Sequence, residues 1–171
     1  MAFDNPEYNE MFKRLGEEDT GTVLLTPEDI IDIHDRLIDL YGGTFGLRDD
    51  DLFYSVVLAP FQTAFGTNLY PTVFDKAAKY LFDFANYQVF LDGNKRTGLG
   101  VCDEFLVQNG FNLTLSPEEG YALVMDIANH VYKDSSEIVG ILKSHFQFCD
   151  KTPVKPSDEP AVSFDMFGPM R

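Results

Sequence analysis

Residues 92–97 (DGNKRT) combine the residue types and the spacing that a polyphosphate-binding turn requires. Gly93 and Asn94 tolerate left-handed backbone angles, so the chain can turn sharply before the helix that follows. The first N–H groups of that helix have no partners within it, and its positive dipole end attracts anions. Lys95 and Arg96 add two cations beside the turn, and a guanidinium group can bind two phosphate oxygens. These features predict an anion site at a helix start.

Asp92 places a carboxylate at the edge of the same turn. Magnesium carried by a polyphosphate prefers few carboxylates together with phosphate oxygens, so Asp92 is a candidate ligand for Mg²⁺. The alternative is a helix cap with solvated cations and no ligand, because short motifs often arise by chance. Two observations favour a ligand. Cations oppose the dipole at a helix start unless an anion is present, and Phe90 with Leu91 would hold the loop on the core.

Helix signals precede this segment. A capping box at residues 26–29, with Pro27 at the first helical position, opens a helix that the pair Gly42-Gly43 ends. A second helical stretch closes at Pro60. Residues 73–85 form a strongly apolar helix, which must be central because it has little polar face to expose. The segment 92–97 is therefore expected to follow directly on a core helix.

Further helices are predicted after the segment, over about residues 95–109, from the capping box at Ser116 to about Lys133, and over 136–148. Residues 61–72 contain turn residues and predict a loop or a small hairpin. Nearly every boundary signal is a helix cap, and almost no run alternates in polarity. The predicted fold class is therefore all-α, a compact helical bundle with a small loop or β-hairpin.

The domain organisation follows from composition. Residues 23–149 suit one helical domain, and residues 1–22 are polar and weakly periodic, which predicts a frayed N-terminal arm. Residues 150–171 hold four of the nine prolines and show no period, so a disordered tail is expected. The apolar part of that tail, residues 162–167, is a candidate docking segment.

The net charge of −15 argues against an extended nucleic-acid surface, because the phosphate backbone would be repelled. No apolar stretch is long enough for a membrane span. The N-terminal residues are polar and acidic, which does not fit a secretory signal. Cys102 and Cys149 are too few for a disulfide scaffold, so the cytoplasm is the expected compartment.

The segment 88–97, QVFLDGNKRT, resembles the Fic/Doc signature, in which a His stands two residues before the Phe and x-D-(A/G)-N-K-R follows. Other segments are similar to matching parts of the family in the same order. They are TPEDIIDIHDRLIDLYGG, GLRDDDLFYSVVLAP, YPTVFDKAAKYLFDFA and FLVQNGFNLTLSPEEGY. The resemblance covers about residues 24–132, and an ordered match of that length is far more specific than a six-residue motif.

The resemblance implies a fold, an activity and partners. General Fic proteins carry Gly at the position of Lys95 and transfer AMP, whereas the death-on-curing branch carries Lys and transfers phosphate from ATP. The target known for that branch is a threonine of elongation factor Tu, and a small antitoxin restrains the enzyme. By position, Asp92 would hold Mg²⁺ and Phe90 would anchor the loop. The residues that would bind the nucleotide are Gly93, Asn94, Lys95, Arg96 and Thr97.

Gln88 departs from the family pattern, because it stands where the family has the histidine that accepts the proton of the attacking hydroxyl. A carboxamide can form hydrogen bonds but has no basic site, so the loop should fold normally and lose general-base assistance. Three explanations are open. The protein binds without efficient transfer, the change from His was deliberate, or another group such as Tyr87 or Asp92 acts as the base.

Other candidates have plainer interpretations. His34 lies on the apolar face of its helix and is expected to be a core histidine with satisfied hydrogen bonds. His130 and His145 lack metal-ligand spacing. Residues 46–49 predict a turn with a buried ion pair, or an arginine near the phosphates. By resemblance, residues 61–72 correspond to a flap that positions the target, and no sequence like the family's inhibitory helix is present.

Overall fold

A computed structural model of the protein describes residues 6–18 and 21–149. Within these ranges the chain forms seven α-helices, a 3-10 turn and four short strands. The helices are α1 (Pro6–Glu18), α2 (Pro27–Tyr41), α3 (Asp50–Leu58), α4 (Val73–Asn86), α5 (Asn94–Gln108), α6 (Pro117–Ala128) and α7 (Ser136–Lys143), and the 3-10 turn is Ala59–Phe61. The predicted all-α class is confirmed. None of the described helices has the length and apolar character needed to cross a membrane.

Helix α2 begins as its capping box predicts. The Thr26 hydroxyl accepts a hydrogen bond from the Asp29 N–H (3.1 Å), and the Asp29 carboxylate accepts one from the Thr26 N–H (2.9 Å). The same reciprocal pair opens α4 at Thr72 and α6 at Ser116. Three helix starts are therefore closed by hydrogen bonds between residues three positions apart.

Helix α5 lies at the centre of the fold, and thirteen of its fifteen residues are buried. It packs on one side against α4 and on another against α2. Two glycines allow the close approach. A methyl group at Gly98 would lie 3.2 Å from Phe84 Cβ and 3.3 Å from the Leu81 carbonyl oxygen, and one at Gly100 would lie 3.0 Å from Ile33 Cγ2. The helix that carries the candidate site is therefore tightly held.

We expect Gly98→Ala to lower the free energy of unfolding by about 1–3 kcal/mol, because the added methyl would lie 3.2–3.3 Å from atoms of α4 and the two helices would have to shift apart. Gly140→Ala is the matched control. It also lies inside a helix, but nothing lies within 4 Å of its added methyl group, so helix propensity alone should raise stability by about 0.5–1 kcal/mol. Urea unfolding of both variants measures the two effects. A Gly98→Ala protein at least as stable as the parent would contradict the close packing of α4 and α5.

The strands form two small antiparallel pairs. Strands β1 (Thr63–Ala64) and β2 (Thr67–Asn68) make the hairpin expected at residues 61–72. Its turn uses left-handed angles at Phe65 (φ 52°) and Gly66 (φ 76°), and the Phe65 side chain is fully exposed.

The second pair, β3 (Phe111–Leu113) with β4 (Phe146–Phe148), corrects the prediction of a last helix over 136–148. Helix α7 ends at Lys143. The chain then extends so that Phe146 packs on Phe111 and Phe74, with ring centroids 5.4 and 5.0 Å away. Aromatic packing therefore outweighs helix propensity there.

Two further boundaries differ from expectation. Residues 6–18 form helix α1 rather than a frayed arm, and the Tyr8 ring stacks on Tyr54 of α3 with centroids 4.0 Å apart. Helix α6 ends at Ala128 rather than near Lys133, because His130 adopts a left-handed angle (φ 60°) that stops the helix. The tail predicted over 150–171 and its candidate docking segment lie outside the described residues.

Candidate active site

The start of α5 is built on a left-handed glycine. Gly93 is the N-cap residue with φ 74° and ψ 18°, and it has no side chain to cap the helix. The first helical hydrogen bond runs from the Thr97 N–H to the Gly93 oxygen (2.9 Å). The N–H groups of residues 94–96 therefore have no carbonyl partner within the helix, and they give its start a positive field. Asn94 is already helical, so only Gly93 uses the left-handed region.

The Asn94 side chain ties the preceding loop together. Its Oδ1 accepts from the Phe90 N–H (2.8 Å), and its Nδ2 donates to the Phe90 oxygen (3.0 Å). Phe90 is completely buried and packs against the rings of Phe53, Phe84 and His34. The sequence suggested that Asn94 contacts phosphate, but the structure commits its amide group to holding the loop, which leaves the backbone N–H for a ligand.

The loop is also paired with the segment that follows α2. The Arg48 N–H donates to the Val89 oxygen (2.8 Å), and the Leu91 N–H donates to the Gly46 oxygen (3.0 Å). These bonds flank an isolated antiparallel bridge between Leu47 and Phe90. The buried ion pair predicted for residues 46–49 is wrong, since the Arg48 side chain is exposed and forms no ion pair with the described residues. The backbone of this segment supports the loop instead.

Lys95 and Arg96, the two cations that the sequence predicts beside the turn, differ in burial and in direction. Lys95 is half-buried at the helix start, whereas Arg96 is 1% exposed. The Arg96 guanidinium turns inward and donates to the Gly42 oxygen (2.9 Å) at the end of α2, where the negative end of that helix dipole favours a cation. Its charge still lies near the turn, because Nη2 is 3.6 Å from where a Cβ on Gly93 would stand. Thr97 is fully buried within α5.

Asp92 is partly exposed, and its carboxylate orientation is set locally. Oδ1 accepts from the Gly93 N–H (2.7 Å). Its other oxygen, Oδ2, lies against Gly43, where an added Cβ would approach to 2.8 Å. Gly43 has φ 129°, a backbone angle that also disfavours any other residue. In the sequence, Gly42 and Gly43 indicate only the end of α2, and the contact of Gly43 with Asp92 depends on the tertiary fold.

Gln88 and Tyr87 lie at the junction between α4 and the loop. Tyr87 is the C-cap residue of α4, and both side chains are exposed. Val89 and Phe90, which follow them, are buried. Gln88, where the resemblance places the family histidine, is therefore exposed immediately before the anchored part of the loop.

The Fic/DOC family model matches residues 24–106. The chain is 38% identical to "Toxin Doc" of Mycolicibacterium smegmatis over 73 residues, which is 43% of this chain and 56% of that protein. It is 33% identical to "Protein kinase doc" of Escherichia phage P1 over 94 residues, 55% of this chain and 74% of that protein. The chain belongs to the Fic/Doc family. It spans about half the length of the first relative and about three quarters of the second.

The hairpin of this Fic/Doc chain is attached to α4 through two lysines. The Lys76 side chain is buried. Its ammonium donates to the backbone oxygen of Tyr70 (2.6 Å) and lies 5.7 Å from the centre of the Phe61 ring. Lys79 lies over the Tyr70 ring at 5.5 Å and forms an ion pair with Asp83 (2.9 Å). Phe61 precedes the hairpin and Tyr70 follows it, so both ends are fixed while the tip projects. Sequence reasoning missed Lys76, since a lysine on a helix is usually solvated.

The donor set at Asp92 fits a magnesium ion that arrives with a nucleotide. The described residues contain no group of three or more His, Cys, Asp or Glu side chains able to hold a metal ion by themselves. A single carboxylate with one oxygen engaged by Gly93 leaves Oδ2 for a metal whose other ligands are phosphate oxygens and water. A separate cavity of about 430 Å³ lies between α1 and α3, lined by Met11, Leu15 and Leu58 among others. It includes no residue of the loop.

Proposed function

We propose that this Fic/Doc chain binds Mg²⁺-ATP at the start of α5 and belongs to the phosphate-transferring, toxin type. One observation carries the proposal most directly: the left-handed Gly93 opens a buried helix that has Lys95 in its first turn and the Arg96 guanidinium close to Gly93. Lys95 in place of glycine favours the phosphate-transferring branch. The names of both relatives, a toxin and a protein kinase, support the same assignment.

The residues of the loop and of the start of α5 have separate proposed roles. The amides at the start of α5 and Lys95 would hold the phosphates, and Arg96 contributes charge from beneath the turn while holding α5 to α2. Asp92 would hold magnesium, which neutralises charge on the phosphates when it is bound with the nucleotide. Gln88, at the family's histidine position, can orient a target hydroxyl but cannot take its proton. Binding should therefore be intact while transfer is slow.

The proposed partners follow from the family. A small antitoxin would restrain an active form, and elongation factor Tu is the proposed target, with the cytoplasm as the site of action. The exposed hairpin tip at Phe65 lies at the end of a rigidly attached segment, which suits contact with a protein. A catalytically silent binding module is the second candidate function, and the exposed Gln88 favours it.

Lys95→Met should weaken Mg²⁺-ATP binding by about 10- to 100-fold, because it removes a charge-assisted hydrogen bond to phosphate. Lys143→Met is the matched control, since it removes the same charge from an exposed position in the last turn of α7. Isothermal titration calorimetry on the full chain measures both affinities. If the parent and the Lys95 variant bind Mg²⁺-ATP equally, Lys95 does not contribute to the site. If the parent does not bind Mg²⁺-ATP, the proposed function is wrong.

A further inference from the structure

His34 is a buried side chain of α2 that contacts the loop at two points. Its ring is 1% exposed and stacks on Phe90, with centroids 3.8 Å apart and planes 7° apart. Its Nε2 lies 2.9 Å from the backbone oxygen of Asp92. The sequence prediction of a core histidine with satisfied hydrogen bonds is confirmed, but the bond to Asp92 gives this core histidine a place beside the candidate site.

We propose that His34 is a positioning residue that directs the Asp92 carboxylate towards the magnesium ion of a bound nucleotide. The inference rests on the proposed function, because it concerns how the nucleotide's metal is received. His34 does not itself reach a ligand, since it lies behind the loop and is closed off from solvent. Its effect passes through one peptide unit.

That peptide unit joins Asp92 to Gly93. A carbonyl oxygen only accepts hydrogen bonds, so His34 Nε2 carries the hydrogen and donates it to the Asp92 oxygen. The N–H at the other end of the same planar unit, that of Gly93, donates to Asp92 Oδ1 (2.7 Å). Fixing the carbonyl therefore fixes the direction of the N–H, and the N–H fixes one oxygen of the carboxylate. Oδ2 is left on the side of Gly43.

The ring of His34 has further contacts that hold it in place. At the opposite edge of the ring, Nδ1 lies 3.0 Å from Asp35 Oδ1. The stack on Phe90 fixes its plane. An outer group that is fixed in this way orients the group in front of it, and replacing such a group typically costs about 10- to 100-fold in metal affinity.

Two substitutions separate the contacts. His34→Phe keeps a ring to stack on Phe90 and removes the donor to Asp92, whereas His34→Gln keeps a donor of similar reach and removes the ring. His145→Phe is the matched control, because His145 Nδ1 also bonds a backbone oxygen, that of Ile141 (2.8 Å), away from the loop. ATP affinity is measured by calorimetry for the full chain with Mg²⁺ and with EDTA, and thermal unfolding checks that each variant is folded.

We expect His34→Phe to lose about tenfold or more of the affinity gained on adding Mg²⁺, with little change in EDTA. His34→Gln should recover most of that gain, and His145→Phe should behave as the parent. Unchanged magnesium dependence in His34→Phe would overturn the inference, as would an equal loss with and without Mg²⁺ in both His34 variants. A parent that binds no ATP under either condition would instead refute the proposed function.

Discussion

Replacing Gln88 with histidine should raise the rate of transfer to a target hydroxyl by about a hundred- to ten-thousand-fold. An imidazole near neutral pH can take the proton that the hydroxyl loses, and this assistance is worth that factor in rate. The side chain at position 88 is exposed, while Val89 and Phe90 hold the adjoining backbone. The substitution therefore changes the chemistry with little effect on the loop. ATP affinity should stay within about a factor of three, since the amide groups of α5 remain.

The measurement uses purified elongation factor Tu and ATP labelled in either the γ- or the α-phosphate. Transfer of the γ label alone identifies a phosphotransferase, and transfer of the α label identifies AMP transfer. Gln147→His is the matched control, because Gln147 is exposed on β4 outside the loop. If Gln88→His transfers neither label to the factor or to any protein of a bacterial lysate, the phosphate-transferring assignment is wrong. A parent that transfers as fast as the variant would mean that another group acts as the base.

Asp103→Asn should raise the free energy of unfolding by up to about 4 kcal/mol above pH 7, and by almost nothing near pH 4. Asp103 is 7% exposed in the middle of α5. Burial raises the pKa of this carboxyl to about 7, the neighbouring charge of Glu104 adds to the rise, and a hydrogen bond from the Leu113 backbone opposes it. The folded protein thus keeps a proton that the unfolded chain releases near pH 4.

The direction of the pH effect follows from that difference. Between about pH 4 and pH 7 the unfolded state is ionised and the folded state is not, so the carboxyl makes folding steadily less favourable as the pH rises. Above pH 7 both states are ionised and the cost is constant, at about 1.4 kcal/mol for each pKa unit between them. Asparagine retains the oxygen that accepts from Leu113 and carries no charge. The asparagine variant therefore does not lose the free energy of folding that ionisation of the buried carboxyl costs the parent.

Chemical unfolding of Asp103→Asn and the parent at pH 4.5, 6, 7 and 8 tests this expectation. Asp32→Asn is the control, because Asp32 is exposed on α2 and its replacement should leave a small difference that does not grow with pH. A stability difference for Asp103→Asn that is the same at all four values would show that the carboxyl is ionised in the folded protein throughout.

The parts of the fold that depend on neighbouring residues were predictable from the sequence. Capping boxes at Thr26 and Ser116 predict their helices, and the turn residues around Gly66 predict the hairpin, because each signal depends on residues only a few positions apart. Helix α1 was missed since its support comes from a distant contact, the stack of Tyr8 on Tyr54. The strand β4 was missed for the same reason.

The candidate site shows the same division. The left-handed turn at Gly93 follows from its residue type and from the helix that begins after it. The inward direction of Arg96 depends on the carbonyl group of Gly42, fifty-four positions earlier, and no local pattern reveals it. The role of Asn94 in bonding both backbone groups of Phe90 is local but ambiguous, because an asparagine can serve a loop or a ligand equally well.

Burial of α5 on nearly all sides has a consequence for how the protein folds. This helix carries two glycines, which lower its local helix propensity, and it depends on its contacts with α2 and α4. In the unfolded chain, α5 is not expected to form as an isolated helix. The turn at its start therefore comes into being only together with the whole domain. A fragment that ends at Asn86, or one that begins at Asn94, should therefore show no residual ligand binding.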